Sequence, residues 1–408
     1  MIYLLYEYEN RGQENMLLTI GRKGDEWMSK LMLHNLHKTF SDGTIAVRNL
    51  SIKADEKRIT VLAGPAGSGK SSIFRLIMGA DRPDQGTVTL DDKSIVYGQD
   101  PGYNAIMISE NYTLYPRMTV AQNMAFGLKI EHMDKEGIQN RVTQAASLLG
   151  IEDILANRAE ELSNVEKFWV VMGRAVCRQP AVYLLDDPLR SLNPDDQLSV
   201  CRQISAVQKK LGTVVLFATR DCRQAQALEG NVVVLRDGGI AQSGTAEDIS
   251  QNPHNMFVAS FFSSPPLNLV DVLPHIVDGK LYFLIDHKGR PQGNYAVSIR
   301  AEEYFSKDLA QEGRELTVGI RPDGIRMDRE SLNRYADCVM EATVEEVERT
   351  PWHCLILLDL DGHKLVMKAA ASCGGLEEGD VIPVALLPDR MLLFDKLSGK
   401  TLLSGRDS

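Results

Sequence analysis

The stretch "RITVLAGPAGSGKSSIFRLIMGA", residues 58–80, decides the fold. Its opening is β-rich, its middle is glycine-rich, and its end is helical. Gly64, Gly69, Lys70 and Ser71 satisfy G-x-x-x-x-G-K-[ST], set between a strand and a helix as that pattern requires. Glycines let successive backbone N–H groups curl around a phosphate, and the helix N-terminus adds the positive end of a dipole. The loop Gly64, Pro65, Ala66, Gly67, Ser68, Gly69, Lys70, Ser71 and Ser72 is therefore expected to hold a nucleotide polyphosphate. Lys70 would reach the β- and γ-phosphates, and the Ser71 hydroxyl would ligate Mg²⁺. A chance match in a glycine-rich loop is the competing reading, and the flanking elements argue against it.

Working outward, "AVYLLDD" (181–187) and "TVVLFAT" (213–219) are short and almost wholly apolar, as suits central strands buried on both faces. Asp186, at the end of the first, suits the carboxylate that orients Mg²⁺. Without the phosphate loop it would read as an ordinary capping Asp. Phe40, in "KTFSDG", is a candidate to stack on an adenine, with a core aromatic as the alternative. "NVVVLRDGGIAQSG" reads as a hairpin around Asp237, Gly238 and Gly239. Between Met133 and Leu162 the spacing is helical and polar. Residues 29–262 are thus expected to form an α/β domain with a helical insert. "SSPPLN" (263–268) reads as a linker, and residues 263–408 as a second, mainly β domain of short alternating strands. Residues 1–28 read as an appendage, because a second plausible start lies at Met28.

The totals exclude several classes. A chain of 408 residues accommodates two domains. Its net charge of −10 argues against nucleic acid as a partner. No apolar run reaches the roughly 18 to 20 residues that a membrane-spanning helix needs. The six cysteines (Cys177, Cys201, Cys222, Cys338, Cys354, Cys373) include no C-x-x-C pair, so reduced thiols are expected rather than zinc or a disulfide framework.

With these residues in hand, the sequence resembles the ATP-binding cassette (ABC) transporter ATPases, and most closely the carbohydrate-importer branch of maltose type. The anchors are "GPAGSGKSS", "YTLYPRMTVAQNMAFGLK", "MGRAVCRQPAVYLLDDPLRSLN", "GIRPD" and "LFDKLSGKTLL", spanning roughly residues 31 to 405. The resemblance implies a P-loop nucleotide-binding domain with a helical subdomain, and an OB-like (TOBE-type) regulatory domain after it. It implies ATP and Mg²⁺ as cofactors, membrane-spanning permease subunits as partners, and, through them, an extracellular solute-binding protein. It places the chain at the cytoplasmic side of the plasma membrane. It also implies a head-to-tail dimer in which each ATP lies between one subunit's phosphate loop and the other's signature.

The departures from the family are concentrated in the catalytic set. The signature, usually Leu-Ser-Gly-Gly-Gln, here reads Leu162, Ser163, Asn164, Val165, Glu166. Ser163 is kept and suits a γ-phosphate contact. The lost glycines hinder close backbone approach. Glu166 points an anion at a polyphosphate; at about 6 Å and an effective dielectric of about 20 that costs roughly 3 kcal/mol. The usual general base Glu is Asp187, and a base about 1.5 Å short can cost about 10²-fold. The usual His is Arg220, which has only donors. The usual Gln beside Mg²⁺ is Glu110, and the usual Asp after the second motif is Asn193. Neutral drift would explain any one of these changes. Five together, beside an intact phosphate loop, are read as a subunit that binds ATP and hydrolyses it weakly. Glu110, Asp187 and Arg220 spoil this chain's own site, while Asn164, Val165 and Glu166 spoil its neighbour's. Pairing with an intact homologous ATPase would keep one complete catalytic set, so a heterodimer is expected.

Tyr112, Leu114, Tyr115, Pro116 and Met118 follow the family's text and are expected, by resemblance, to line the groove for a membrane subunit. The rival reading is an ATP-sensing regulatory pseudo-ATPase with no transport role.

Overall fold

The computed structural model describes residues 30–402, apart from 96, 98–103, 287–294, 301–304, 306, 310–314 and 373. The expected appendage at residues 1–28 lies outside the described residues.

In chain order the first part runs β1 (Lys30–Thr39), β2 (Ile45–Asp55), β3 (Thr60–Ala63), α1 (Lys70–Ile77), β4 (Gln85–Leu90), β5 (Lys93–Ser94), β6 (Ala105–Ser109), α2 (Val120–Ile130), α3 (Lys135–Leu149), α4 (Asn164–Cys177), β7 (Val182–Asp186), α5 (Pro194–Leu211), β8 (Val214–Thr219), α6 (Cys222–Ala227), β9 (Asn231–Arg236), β10 (Gly239–Thr245), α7 (Ala246–Gln251) and α8 (Met256–Phe261). The central sheet has the order β10-β9-β3-β8-β7-β6, parallel except for β10. A smaller antiparallel sheet, β2-β1-β4-β5, lies beside it.

The apolar runs became strands for the reason their composition gives. Every residue of β3 and β8 is buried, so these strands shed water from both faces. The β9–β10 hairpin turns through Asp237 and Gly238 at φ 50° and 78°, the left-handed pair that a two-residue turn needs. Short polar side chains begin the helices of the insert. Thr119 and Gln122 form a capping box on α2, and Asp134 caps α3, which Gly150 closes in the left-handed conformation. Apolar faces of α2, α3 and α4 share one core with β3, β7 and β8, so the insert is fastened to the sheet that carries the site.

The second part runs β11 (Asn268–Val277), β12 (Lys280–Asp286), β13 (Tyr295–Arg300), β14 (Leu316–Ile320), β15 (Ile325–Arg326), α9 (Arg329–Arg334), β16 (Val339–Arg349), β17 (His353–Leu360), β18 (His363–Ala370), β19 (Val381–Leu386), β20 (Met391–Asp395) and β21 (Thr401–Leu402). Two antiparallel sheets form, β13-β12-β11-β14-β20-β21 and β15-β19-β16-β17-β18. They enclose one core, with Phe283, Val318 and Leu393 from the first and Val344, Ile356 and Leu365 from the second. The result is a barrel-like, OB-like unit. Asn268 stitches the sheets together: its amide donates to the carbonyls of Ile320 (3.1 Å) and Val366 (2.9 Å), and its oxygen accepts from Val366 N (2.7 Å).

The end of the chain returns to the first part. The N–H of Met256 donates to the Gly399 carbonyl (2.8 Å), and the Thr401 hydroxyl donates to the Pro253 carbonyl (2.5 Å). Among the described residues no helix is long and apolar enough to cross a membrane. The thiols of Cys177, Cys201 and Cys222 are free and buried, as expected, and Cys338 is buried with its Sγ 3.8 Å from the Arg300 carbonyl. The reduced-thiol expectation fails at Cys354, which is disulfide-bonded.

Candidate functional site

Parallel pairing builds the site by bringing four distant points of the sequence together. β3, β8, β7 and β6 are neighbours in that order, and their ends are in register: Ala63 with Thr219, Ala218 with Asp186, and Asp186 with Ser109. One residue beyond these ends stand Gly64, Arg220, Asp187 and Glu110. The carboxyl edge of a parallel sheet is where ligands of such folds sit.

The loop from Gly64 to Gly69 leaves the central strand β3 and enters α1. Gly69 has φ 99°, and a Cβ there would lie 2.4 Å from the Ala46 carbonyl oxygen, so no side chain is tolerated. Lys70 folds back over its own loop. Its Nζ donates to the carbonyls of Gly64 and Pro65, both at 2.7 Å, and to Ser68 Oγ at 3.1 Å. Only 6% of Lys70 is exposed. Burial pushes its pKa down to about 8, with Arg220 adding to the shift and Asp187 and Asp186 opposing it. This is a buried cation with neutral acceptors and, among the described residues, no anion in hydrogen-bond contact. A polyphosphate in the loop would supply that anion, so the cradle and its lysine fit the expected nucleotide. Ser71 follows Lys70 in the first turn of α1, and Asp186 ends β7. A hydroxyl and one carboxylate suit Mg²⁺, which takes most of its oxygens from phosphate and water.

Beside this cradle Asp187, Arg220, Glu110 and Arg190 are tied in pairs. Arg220 Nε stands 3.4 Å from Asp187 Oδ2. Asp187 adopts a left-handed backbone at φ 49°, and its N–H donates to the Ala218 carbonyl at 3.0 Å. Burial holds the Asp187 carboxyl above the usual carboxylate range; Arg220 opposes this and Glu110 adds to it. Glu110 is bound in turn by Arg190, Nη1 to Oε2 at 2.7 Å. A buried chain of hydrogen bonds fixes the Arg220 turn: the Thr219 hydroxyl donates to Gln224 (2.8 Å), and the Gln224 amide donates to Gln197 (2.8 Å). Sequence reasoning missed Arg190. Its pairing with Glu110 is visible only once β6 and β7 lie side by side.

The signature residues lie apart from this cluster, at the start of α4. Glu166, which the resemblance sets against a partner's phosphates, is engaged within its own chain. Ser163 and Glu166 form a reciprocal capping box, with Ser163 N donating to Glu166 Oε2 (2.8 Å), Ser163 Oγ donating to the same oxygen (2.7 Å), and Glu166 N donating to Ser163 Oγ (3.3 Å). Those hydrogen bonds hold the Glu166 carboxyl below its ordinary range. The box also occupies the Ser163 hydroxyl. Asn193 is the cap of α5, accepting from Asp196 N at 2.9 Å.

Phe40 follows β1 and is 38% exposed, at a turn closed by the Phe40–Thr44 and Gly43–Phe40 backbone bonds. In the expected docking stretch, Tyr112 and Leu114 pack partly against the core, while Tyr115 and Pro116 are exposed. Arg174 braces this stretch, donating to the Thr113 carbonyl (3.1 Å) and lying over the Tyr115 ring (5.8 Å).

Known proteins share this plan. The family described as "ABC transporter" matches residues 47–190. The uncharacterized ABC transporter ATP-binding protein YcjV of Escherichia coli O157:H7 is 31% identical over 345 residues, 84% of this chain and 91% of that protein. The chain belongs to the ABC transporter ATP-binding proteins. Another relative within this family is the sn-glycerol-3-phosphate import ATP-binding protein UgpC of Rhizobium meliloti (strain 1021), 34% identical over 78% of this chain and 85% of that one. Among solved structures, cbiO1 from Clostridium perfringens, part of an ABC transporter complex, overlays 54% of this chain and 90% of its own with a TM-score of 0.51 at 24% identity. The ADP conformation of MJ1267, an ATP-binding cassette of an ABC transporter, overlays 58% of this chain and 98% of its own, also at 0.51, at 20% identity. The first part of the chain is therefore an ABC-type P-loop domain, and membership of the family implies that it binds ATP.

Proposed function

We propose that this chain is the ATP-binding subunit of a carbohydrate-type ABC importer, that it binds Mg-ATP firmly, and that it hydrolyses ATP weakly unless paired with an intact homologous ATPase. Residues 29–262 form the nucleotide-binding unit and residues 263–408 the regulatory one. Phe40 stacks on the adenine, Lys70 answers the β- and γ-phosphates, Ser71 and Asp186 hold Mg²⁺, and Ser163, once its hydroxyl turns from Glu166, serves the partner's nucleotide. The solute belongs to the sugars and polyol derivatives, a reading supported by relatives named for sn-glycerol-3-phosphate import.

One observation supports this reading above the others. The phosphate cradle is whole, whereas the residues at the base, switch and Mg²⁺-side positions bind each other, Asp187 with Arg220 and Glu110 with Arg190. A general base must accept a proton from the attacking water. Asp187 faces a guanidinium instead, and Arg220 offers no acceptor. ATP binding then closes the dimer, and closure moves the membrane subunits through the stretch around Tyr115.

The test is a mild-detergent purification of this chain from its own cell, with mass spectrometry of what accompanies it. An intact ABC ATPase and two membrane subunits are the expected companions. The chain alone, or only with itself, overturns the asymmetric transporter and supports the regulatory pseudo-ATPase.

A further inference from the structure

A cavity of about 590 Å³ lies where the nucleotide-binding part meets the β domain, far along the sequence from the phosphate loop. That volume falls within the range of small-molecule sites. Its walls come from both parts: Arg223 from α6, Arg321 and Asp323 from the turn after β14, Arg326 from β15, Trp352 from the turn before β17, and Lys368 from β18. Four cations and one carboxylate is an unusual lining for a chain whose net charge is −10.

The cations differ in whether their charge is already answered. Arg223 is bound by Asp221 (2.7 Å) and Arg326 by Asp328 (3.0 Å), while Asp323 is engaged by Arg390 (3.1 Å). Arg321 and Lys368 make no ion pair among the described residues. Arg321 donates to the backbone carbonyl of Ser250 at the end of α7, so it tethers one part to the other; Asp323 acts on its charge only at longer range. Both side chains are only partly exposed, so water answers their charge incompletely. The third feature is Trp352, which is 84% exposed at the edge of the cavity. A bare indole in the same wall as two cations that lack a direct ion pair among the described residues combines a flat apolar platform with an anion clamp.

We infer that this cavity is a binding site for a small phosphomonoester, with the phosphate held by Arg321 and Lys368 and the organic body laid against Trp352. A guanidinium presents a planar fork of donors to phosphate oxygens, and the ammonium adds a point charge. Because Arg321 also holds Ser250, an occupied cavity fastens the β domain to α7. The site is independent of whether the chain hydrolyses ATP.

The test uses the full chain saturated with Mg²⁺ and a non-hydrolysable ATP analogue, so that phosphate probes are kept out of the phosphate loop. Glucose 6-phosphate, glucose and inorganic phosphate are titrated by calorimetry. Glucose 6-phosphate is expected to bind saturably, inorganic phosphate more weakly at the same site, and glucose not at all. Lys368→Gln, on an exposed edge of the fold, should weaken glucose 6-phosphate about tenfold or more, the loss expected of one charged hydrogen bond. Trp352→Ala should weaken it several-fold while leaving inorganic phosphate unchanged. No saturable binding at millimolar concentration overturns the inference, as does binding indifferent to Lys368→Gln. Equal affinity for inorganic phosphate and glucose 6-phosphate overturns the assignment to a phosphomonoester in favour of free phosphate.

Discussion

Lys70 and Asp187 face the same space with opposite electrostatic problems. Lys70 is a cation that burial discourages, and Asp187 is an anion that burial discourages. The lysine's pKa of about 8 lies below its ordinary 10.5, so between those values the unfolded chain holds the proton and the folded chain does not. Stability contributed through this group therefore rises with pH across that window, and at neutral pH the charged lysine costs stability. A bound polyphosphate restores the proton. ATP affinity should accordingly decline as pH rises above 8, with proton uptake on binding, measurable by calorimetry in buffers of differing ionisation heat. Affinity unchanged from pH 7 to 9 would remove the lysine from the phosphate site. For Asp187, the combined change Asp187→Glu and Arg220→His supplies the longer base and an acceptor. It should raise turnover by about 10²-fold, with little change in ATP affinity, in a steady-state phosphate-release assay.

At the scale of elements, α4 shows what local sequence reading can do and where it stops. The S-x-x-E spacing of Ser163 and Glu166 is a capping signal written in the sequence. Ser163→Ala should cost about 1 kcal/mol of stability, seen as a lowered denaturation midpoint. Glu166→Gln keeps a box-competent side chain and removes the charge. It should leave stability nearly unchanged and strengthen dimer closure on ATP, measured by analytical ultracentrifugation. The apolar runs that became β7 and β8, and the hairpin at Asp237 and Gly238, were legible because each is set by local chemistry. The Glu110–Arg190 pair was not, because its partners lie 80 residues apart and meet only through strand order.

At the scale of the whole molecule, the division of labour explains which parts stayed close to the family's text. The stretch from Tyr112 to Met118 is braced by the half-buried Arg174 and keeps Tyr115 outward. Scrambling that stretch should abolish assembly with membrane subunits while Mg-ATP binding to the isolated chain persists; loss of both together would mean misfolding instead. The phosphate loop, the buried central strands and a mainly β unit after the α/β one were readable in advance. The interlocked charges at the catalytic edge and the cation-lined cavity between the parts were not, because both arise from segments distant in sequence.

The most direct single measurement is steady-state ATP turnover by the purified chain, alongside its affinity for Mg-ATP. Firm binding with turnover about 10²-fold below that of an intact family member, consistent with a short, guanidinium-bound base, is the predicted result. Turnover by the isolated chain at the full rate of such a member would contradict the account, because the pairs at Asp187 and Glu110 would then be no obstacle to catalysis.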